Sequence, residues 1–418
     1  MLTLLKNPVQ IITVNTNGKN LSRGIDSQNL GIIAEHSIIV ENSTIKDIIP
    51  NSAVQKLTYD KIIDVKDKLV LPGLVECHTH AAFAGSRANE FLLRMKGATY
   101  EEIASAGGGI LSTVKAVRES SFEDLVKILK PRIDYFISQG VTTLEIKSGY
   151  GLSFYDEIKL LQVINHFKVH SSIEIVPTFL GAHTYPPEYK NDHKGYLKLI
   201  TDELMPYVIK NNLAEYIDVF CESTVFSSED VDVIFTKAKK LRYKLRLHTE
   251  QFNNIGGLQT ALRHKALSVD HLEVVKDEDI KSLSKSETVA VLLPGVSFFL
   301  NYDYAPAREL IESGAIVALS TDYNPGSSNI SNLHLIMSLA SLKMKMTIEE
   351  IINAVTINAA KAIDLNKNIG SIEIGKQADF AIFDAKEPAD IIYNIGNNLN
   401  VITIKQGKIV YERNEGSI

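Results

Sequence analysis

The sequence predicts a (β/α)8, TIM-like barrel carrying a small β-sandwich domain built from both chain termini. Three observations predict it. From residue 70 onward, eight strand-like runs alternate with amphipathic stretches of helical length. The two ends of the chain carry short β-branched runs instead, and neither end is long enough to bury a good core alone. No Gly-x-Gly-x-x-Gly follows a first strand, which favours the barrel over an open doubly wound sheet. The expected division is 1–69 with 365–418 for the composite β domain and 70–364 for the barrel.

Taken in order, Val9–Val14, Ser37–Val40 and Ile62–Val65 read as short strands, with a turn at Asn15-Thr16-Asn17-Gly18. Asn51–Leu57 is the one stretch here with a helical period. The barrel runs are Leu69–Cys77, Val141–Lys147, Ile173–Leu180, Ile217–Cys221, Leu245–His248, Ala266–Asp270, Thr288–Leu293 and Ala315–Ser320. Between them, Phe122–Gln139 places Phe122, Leu125, Val126, Leu129, Ile133, Phe136 and Ile137 on one helical stripe. Ser227–Lys240 begins a helix whose Glu229 and Asp230 suit the positive end of its dipole. Eight such units over about 290 residues match the usual size of this barrel. Beyond it, Asp379–Phe383 and Val401–Ile404 read as strands, and Gln406-Gly407-Lys408 turns the chain back into Ile409–Tyr411.

Composition excludes several classes. The 418 residues carry a formal charge of −6 and a pI near 6.0, so nothing general attracts nucleic acid or an anionic membrane. Two cysteines, Cys77 and Cys221, make no disulfide framework, and a reducing cytoplasm is the simplest compartment. Met1–Gln10 lacks the pattern of a signal peptide, and no apolar run approaches the roughly 18 residues of a membrane span.

The chemistry gathers around Leu71–His80, a buried-strand pattern ending in two histidines. On a strand, His78 and His80 project to one face and Thr79 to the other. Such a pair is either a metal-ligand arrangement or two solvated histidines. The later runs end in His183, Glu222, His248, Asp270-His271 and Thr321-Asp322. Five of the eleven histidines thus fall at predicted strand ends, which a barrel gathers at its catalytic face. Asp322 taken alone would serve equally as a helix N-cap. Three histidines and a carboxylate suit Zn²⁺ or Fe²⁺ better than Mg²⁺ or Ca²⁺. Such an ion lowers the pKa of its water toward roughly 7, so metal-assisted hydrolysis or deamination is the expected chemistry.

Pro72–His80 resembles the first-strand signature of the amidohydrolase superfamily, and Ile369–Phe380 resembles its C-terminal signature. Six stretches are similar to the imidazolonepropionase family within it: Phe83–Arg87, Ala106–Ile110, Glu145–Gly151, Phe179–His183, Ser268–Glu273 and Ser320–Ser327. The resemblance implies hydrolytic opening of 4-imidazolone-5-propanoate to N-formimidoyl-L-glutamate, one Zn²⁺ or Fe ion per subunit, a cytoplasmic location and a homodimer. It assigns the metal to His78, His80, His248 and Asp322. It assigns contacts with a substrate carrying a carboxylate to Arg87, Tyr150, His183, Gln251, Asn324, Gly326 and Ser327. Arg87 suits a propionate carboxylate through its planar fork. Asn324, Gly326 and Ser327 form a polar loop able to present backbone N–H groups.

Catalytic roles fall to His271, Asp322 and Gln251. Some members have glutamate at the position of Gln251. Glutamine cannot be a base, so Asp322 or His271 takes that role and Gln251 positions substrate. Lys147 and Glu222 invite reading as bridging ligands of a second metal, but the resemblance is to single-metal members, which makes both structural. Gly107-Gly108-Gly109 lacks a following Gly-Lys-Ser/Thr and reads as a lid. Cys77 reads as core. The competing readings are another amidohydrolase, such as an aromatic deaminase or cyclic-amide hydrolase, or a non-catalytic scaffold of the same fold.

Overall fold

A computed structural model describes residues 1–56, 58–97 and 108–414. Leu57, Ala106 and Gly107, which belong to predicted features, lie outside them. The barrel strands are β1 Leu74–Glu76, β2 Val141–Lys147, β3 Glu174–Ala182, β4 Tyr216–Cys221, β5 Lys244–Thr249, β6 Ser268–His271, β7 Val289–Leu292 and β8 Ile316–Leu319. They form one eight-stranded sheet in chain order, each strand parallel to the next. Just past the first and last strands, a parallel bridge joins Thr79 to Tyr323. There the Asp322 N–H donates to the His78 carbonyl at 3.2 Å and the His80 N–H to the Tyr323 carbonyl at 3.0 Å. The ring therefore closes at its C-terminal end, through the very residues expected to bind metal.

The predicted single run Leu69–Cys77 is in fact two strands in two sheets. Leu69–Pro72 pairs parallel with Gln10–Ile12 and antiparallel with Phe380–Phe383, whereas β1 belongs to the barrel. The switch falls at Pro72-Gly73, because proline withdraws a ladder donor and glycine permits close approach. The Gly73 N–H donates to the Asp379 carbonyl and the Leu74 N–H to the Gly140 carbonyl, both at 2.9 Å. A methyl group on Gly73 would collide with the Thr142 side chain.

The terminal segments form a six-stranded sheet ordered Lys408–Glu412, Asn400–Lys405, Phe380–Phe383, Leu69–Pro72, Gln10–Ile12, Ile32–Ala34. A four-stranded sheet is ordered Thr44–Pro50, His36–Glu41, Leu2–Lys6, Lys61–Asp64. Leu5, Ile38, Val40 and Ile63 of the smaller sheet share one core with Ile11, Val70, Phe380, Ile382 and Ile404 of the larger. Both termini thus build one β-sandwich, as predicted. Asn51–Lys56 is a 3₁₀ rather than an α-helix.

The predicted helices have the expected causes. Phe122–Ser138 starts at Ser121, whose side chain accepts the Asp124 N–H, and it buries Leu125, Leu129, Ile133, Phe136 and Ile137. Phe122 and Val126 of the predicted stripe are only half buried. Ser228–Lys240 starts with a Ser227–Asp230 capping box.

Gln139, at the end of Phe122–Ser138, ties that helix to Leu333–Met344. Its Oε1 accepts the Leu333 N–H at 2.8 Å, and its carbonyl accepts from His334 Nε2 at 3.0 Å. Burial holds His334 down at about 4, despite that hydrogen bond. The unfolded chain, titrating near 6.5, therefore takes up the proton first. This histidine's contribution is intact above pH 6.5 and is lost as pH falls toward 4, by roughly 3 kcal/mol. His334→Gln keeps a donor for the Gln139 carbonyl. The urea-derived stability of the native protein should fall relative to that variant by this amount between pH 6.5 and 4.

Candidate active site

The barrel closure brings the predicted histidines together. The ligating atoms of His78, His80, His248 and Asp322 lie within 4.8 Å of one another, and all four residues are buried. His80 Nε2 is 3.2 Å from both His248 Nε2 and Asp322 Oδ1, and His78 Nε2 is 3.3 Å from Asp322 Oδ1. His78 Nε2 and Asp322 Oδ1 have no hydrogen-bond partner. Buried polar atoms without partners are costly, and an ion among them would satisfy both. The donors present therefore fit one metal ion.

Two chains of charge hold these imidazoles from behind. His78 Nδ1 meets Asp270 Oδ2 at 2.6 Å, and Arg246 Nη2 donates to the same oxygen at 2.9 Å. His248 Nδ1 meets Asp218 Oδ1 at 2.9 Å, and Lys147 Nζ sits 2.9 Å from Asp218 Oδ2. Each carboxylate fixes its histidine with hydrogen on Nδ1 and a lone pair on Nε2, the form that binds metal. Glu145 joins the two chains, 2.8 Å from Lys147 and 3.4 Å from Arg246. Burial alone would raise Asp218, but His248 and Lys147 outweigh it and hold its carboxyl well below the usual range. Asp322 is likewise held low, against burial, by the adjoining His78 and His80 imidazoles. Burial drives Glu76 the other way, up to about 8, despite N–H donors from His78 and Thr321.

Formal charges support a divalent ion. Glu145, Asp218, Asp270 and Asp322 carry four negative charges and Lys147 and Arg246 two positive, leaving two negative in a dry region. Asp218, His248 and Asp270 form a second group of metal-binding composition. There Lys147 and Arg246 already occupy the carboxylates, so Lys147 is pinned as a structural cation. Glu222 is taken up by the loop after β5: its Oε2 accepts the backbone N–H groups of Phe252 and Asn253, each at 3.0 Å. It thereby fixes the loop that carries Gln251.

The remaining predicted residues ring this cluster. His183 stacks on His80 with centroids 5.0 Å apart, and its Nδ1 hydrogen-bonds the Gly149 carbonyl at 3.0 Å. Burial lowers His183 to about 3, so it is a neutral imidazole with Nε2 as the free nitrogen. Tyr150 lies 5.4 Å from the His183 ring and 6.0 Å from His80, with burial raising its phenol. His271 adopts φ +90°, a conformation rare outside glycine, and its ring is 5.4 Å from His248. Burial opposes its charge, but Glu273, 3.5 Å away, prevails and raises its pKa. Gln251 is buried beside Glu250. Burial lifts Glu250 to about 8, and its Oε1 accepts the Leu258 N–H at 3.4 Å.

One expectation is corrected. The Gly326 and Ser327 N–H groups are not free for a ligand; both donate to Asn324 Oδ1 at 2.8 Å. Asn324 Nδ2 donates to Asp322 Oδ2 at 3.0 Å and to Ser327 Oγ at 2.9 Å. The loop is a self-closed clamp that steadies Asp322. Beside it lies a cavity of about 410 Å³ lined by Phe83, Arg87, Phe91, Arg132, Tyr323 and Pro325. Arg87 reaches it with one edge already paired to Glu90. The sequence reading missed Asp218, Arg246, Glu145 and Glu90. The first three carried a signal: charged residues at alternate positions of otherwise apolar strands, as in Glu145/Lys147 and Arg246/His248.

Residues 93–411 match the model of the Amidohydrolase family. The chain is 43% identical over 413 residues to an imidazolonepropionase of Alkaliphilus oremlandii, covering 98% of both chains. It is 47% identical over 355 residues to an imidazolonepropionase of Caldanaerobacter subterraneus subsp. tengcongensis, covering 85% of this chain and 86% of that one. Among solved structures, an adenosine deaminase from Xanthomonas campestris superposes with a TM-score of 0.72 at 16% identity, covering 97% of this chain and 92% of that one. A triazine hydrolase variant superposes with a TM-score of 0.73 at 14% identity, covering 98% and 95%. At these identities the two structures share the fold alone. Barrel, buried histidine–aspartate cluster and near-full-length similarity agree: the chain belongs to the amidohydrolase family and, within it, to the imidazolonepropionases.

Proposed function

We propose that the chain hydrolyses 4-imidazolone-5-propanoate to N-formimidoyl-L-glutamate in histidine degradation. The observation that carries this reading is a buried His3Asp cluster in a chain 43% identical to an imidazolonepropionase and covering 98% of both chains, with Arg87 lining a separate cavity that includes Tyr323, the neighbour of Asp322. His78, His80 and His248 through Nε2, with Asp322 through Oδ1, would hold the ion. Zn²⁺ and Fe²⁺ both suit that donor set. When bound, the ion supplies an acidified water and polarises the carbonyl under attack.

The protein's own groups do the rest. Arg87 binds the propionate carboxylate and fixes the ring over the cluster. Tyr150, His183 and Gln251 line the ring's position. His271, with its raised pKa, donates to the ring carbonyl oxygen. Asp322 takes the proton from the attacking water and returns it to the ring nitrogen as the C–N bond breaks. Gln251 orients and cannot exchange that proton, because an amide has no basic site in this range.

The same reading divides the chain into a catalytic barrel over 70–364 and a composite β unit of 1–69 with 365–418. The Leu69–Pro72 strand between Gln10–Ile12 and Phe380–Phe383 supports the composite unit but extends its first part to Pro72, past the expected boundary at residue 69. The reading also takes the protein to be a cytoplasmic homodimer. Two buried free thiols suit a reducing compartment, and the helix Phe154–His170 leaves Tyr155 and Val169 exposed. Among the described residues no helix is long and apolar enough to cross a membrane.

Purified protein should consume imidazolone propionate; turnover of a pyrimidine or hydantoin instead would assign it to another branch of the family. Arg87→Ala should raise KM by roughly 10- to 100-fold with little change in kcat, the cost of one charged hydrogen-bonded pair. Asp270→Asn should weaken metal retention by roughly 10- to 100-fold in a chelator competition, since it replaces the carboxylate behind His78 with a neutral amide. His248→Ala should lose metal and activity together, as elemental analysis and the same assay would record.

A further inference from the structure

Arg87 is not free in its cavity. A guanidinium offers two usable edges to a carboxylate: the side edge formed by Nε and Nη2, and the end edge formed by Nη1 and Nη2. Glu90 takes the side edge with a single oxygen, Oε2, which is 2.8 Å from Nε and 2.7 Å from Nη2. The other oxygen, Oε1, accepts the Gly109 N–H at 2.9 Å and the Ser112 hydroxyl at 3.2 Å. Glu90 is thereby anchored to the start of the helix Ile110–Glu119. Both side chains are largely buried, at 15% exposure for Arg87 and 12% for Glu90, so the pair is poorly screened. On the opposite flank, Nη1 lies against Gly326, where a methyl group would collide with the guanidinium. A carboxylate on one side and a bare glycine on the other leave one orientation for the arginine.

We propose that Glu90 is the positioning residue of the substrate-carboxylate site. It occupies the side edge of Arg87 and so reserves the end edge for the propionate of the substrate. This rests on the reading of Arg87 as the carboxylate partner given above. Glu90 touches neither the reacting bond nor the metal cluster, so its effect belongs to binding rather than to chemistry. It also makes Arg87 selective: with one negative charge already in place, a monocarboxylate completes the pairing and a second carboxylate on the same ligand meets repulsion.

Steady-state kinetics on the metal-loaded enzyme test this. Glu90→Ala should raise KM for imidazolone propionate about tenfold while kcat stays within about threefold. Glu90→Gln keeps an oxygen for Nε and Nη2 and should recover most of that loss. Glu90→Asp withdraws the carboxylate by one methylene and should give the same split at smaller size; it serves in place of Ala if that variant does not fold. The decisive readout is the double variant Arg87→Ala/Glu90→Ala. If Glu90 acts only through Arg87, its KM equals that of Arg87→Ala alone. Imidazolone lacking the propionate tail should be turned over equally by Glu90→Ala and the native enzyme. If Arg87→Ala raises KM and Glu90→Ala does not, or if the double variant is fully additive, the positioning role is overturned while the carboxylate site stands. If Arg87→Ala leaves KM unchanged, the carboxylate site itself is wrong.

Discussion

The active site depends on a buried lattice of opposite charges beneath the histidines. Arg246 with Asp270 sets His78, and Lys147 with Asp218 sets His248. Groups of this kind are expensive to bury and are tolerated only when each is paired. Removing one partner strands a charge, a loss typically of about 3–5 kcal/mol. The lattice also enforces strand register. His248 stands opposite Asp270 between β5 and β6, and Asp218 opposite Arg246 between β4 and β5. A slip of one residue would turn every one of these side chains to the helix-facing side of the barrel.

Specificity lies in a different layer. An adenosine deaminase and a triazine hydrolase share this fold at 16% and 14% identity, so the barrel itself selects no substrate. The loops after the strands do. In this chain they carry an arginine held between Glu90 and Gly326, a histidine stacked on a cluster ligand, and an asparagine clamp on Asp322. Each spends polar atoms on its neighbours, which fixes its orientation. Asn324 is the clearest case: its amide closes the loop and steadies Asp322.

Much of the fold was legible because the barrel's periodicity is local. Runs such as Val289–Leu292 and Ile316–Leu319 are apolar, and the strands alternate with helical stripes such as Leu125, Leu129 and Ile133. A histidine and carboxylate group was legible because strand ends converge in any closed barrel, and the family resemblance narrowed it to His78, His80, His248 and Asp322, whose ligating atoms lie within 4.8 Å of one another. What escaped depends on three-dimensional pairing. Leu69–Glu76 looks continuous in one dimension, and only the partners on either side of Pro72-Gly73 reveal two sheets. The loop of Gly326 and Ser327 looked open to ligand because its acceptor, Asn324 Oδ1, is a side-chain atom whose direction no pattern states. Glu90 sits three residues from Arg87 in a short helix, a spacing that reads equally well as a surface ion pair.

The sheet switch at Pro72-Gly73 also orders events during synthesis. Leu69–Pro72 lies at the seam of the terminal sheet, and one of its neighbours, Phe380–Phe383, leaves the ribosome only after the entire barrel. At roughly 5–20 residues per second, the intervening chain takes on the order of 15–60 s to appear. Throughout that interval Leu69, Val70 and Leu71 border an unfilled strand position. The nascent chain thus carries an open sheet edge at Leu69–Pro72 until Phe380–Phe383 emerges to pair with it.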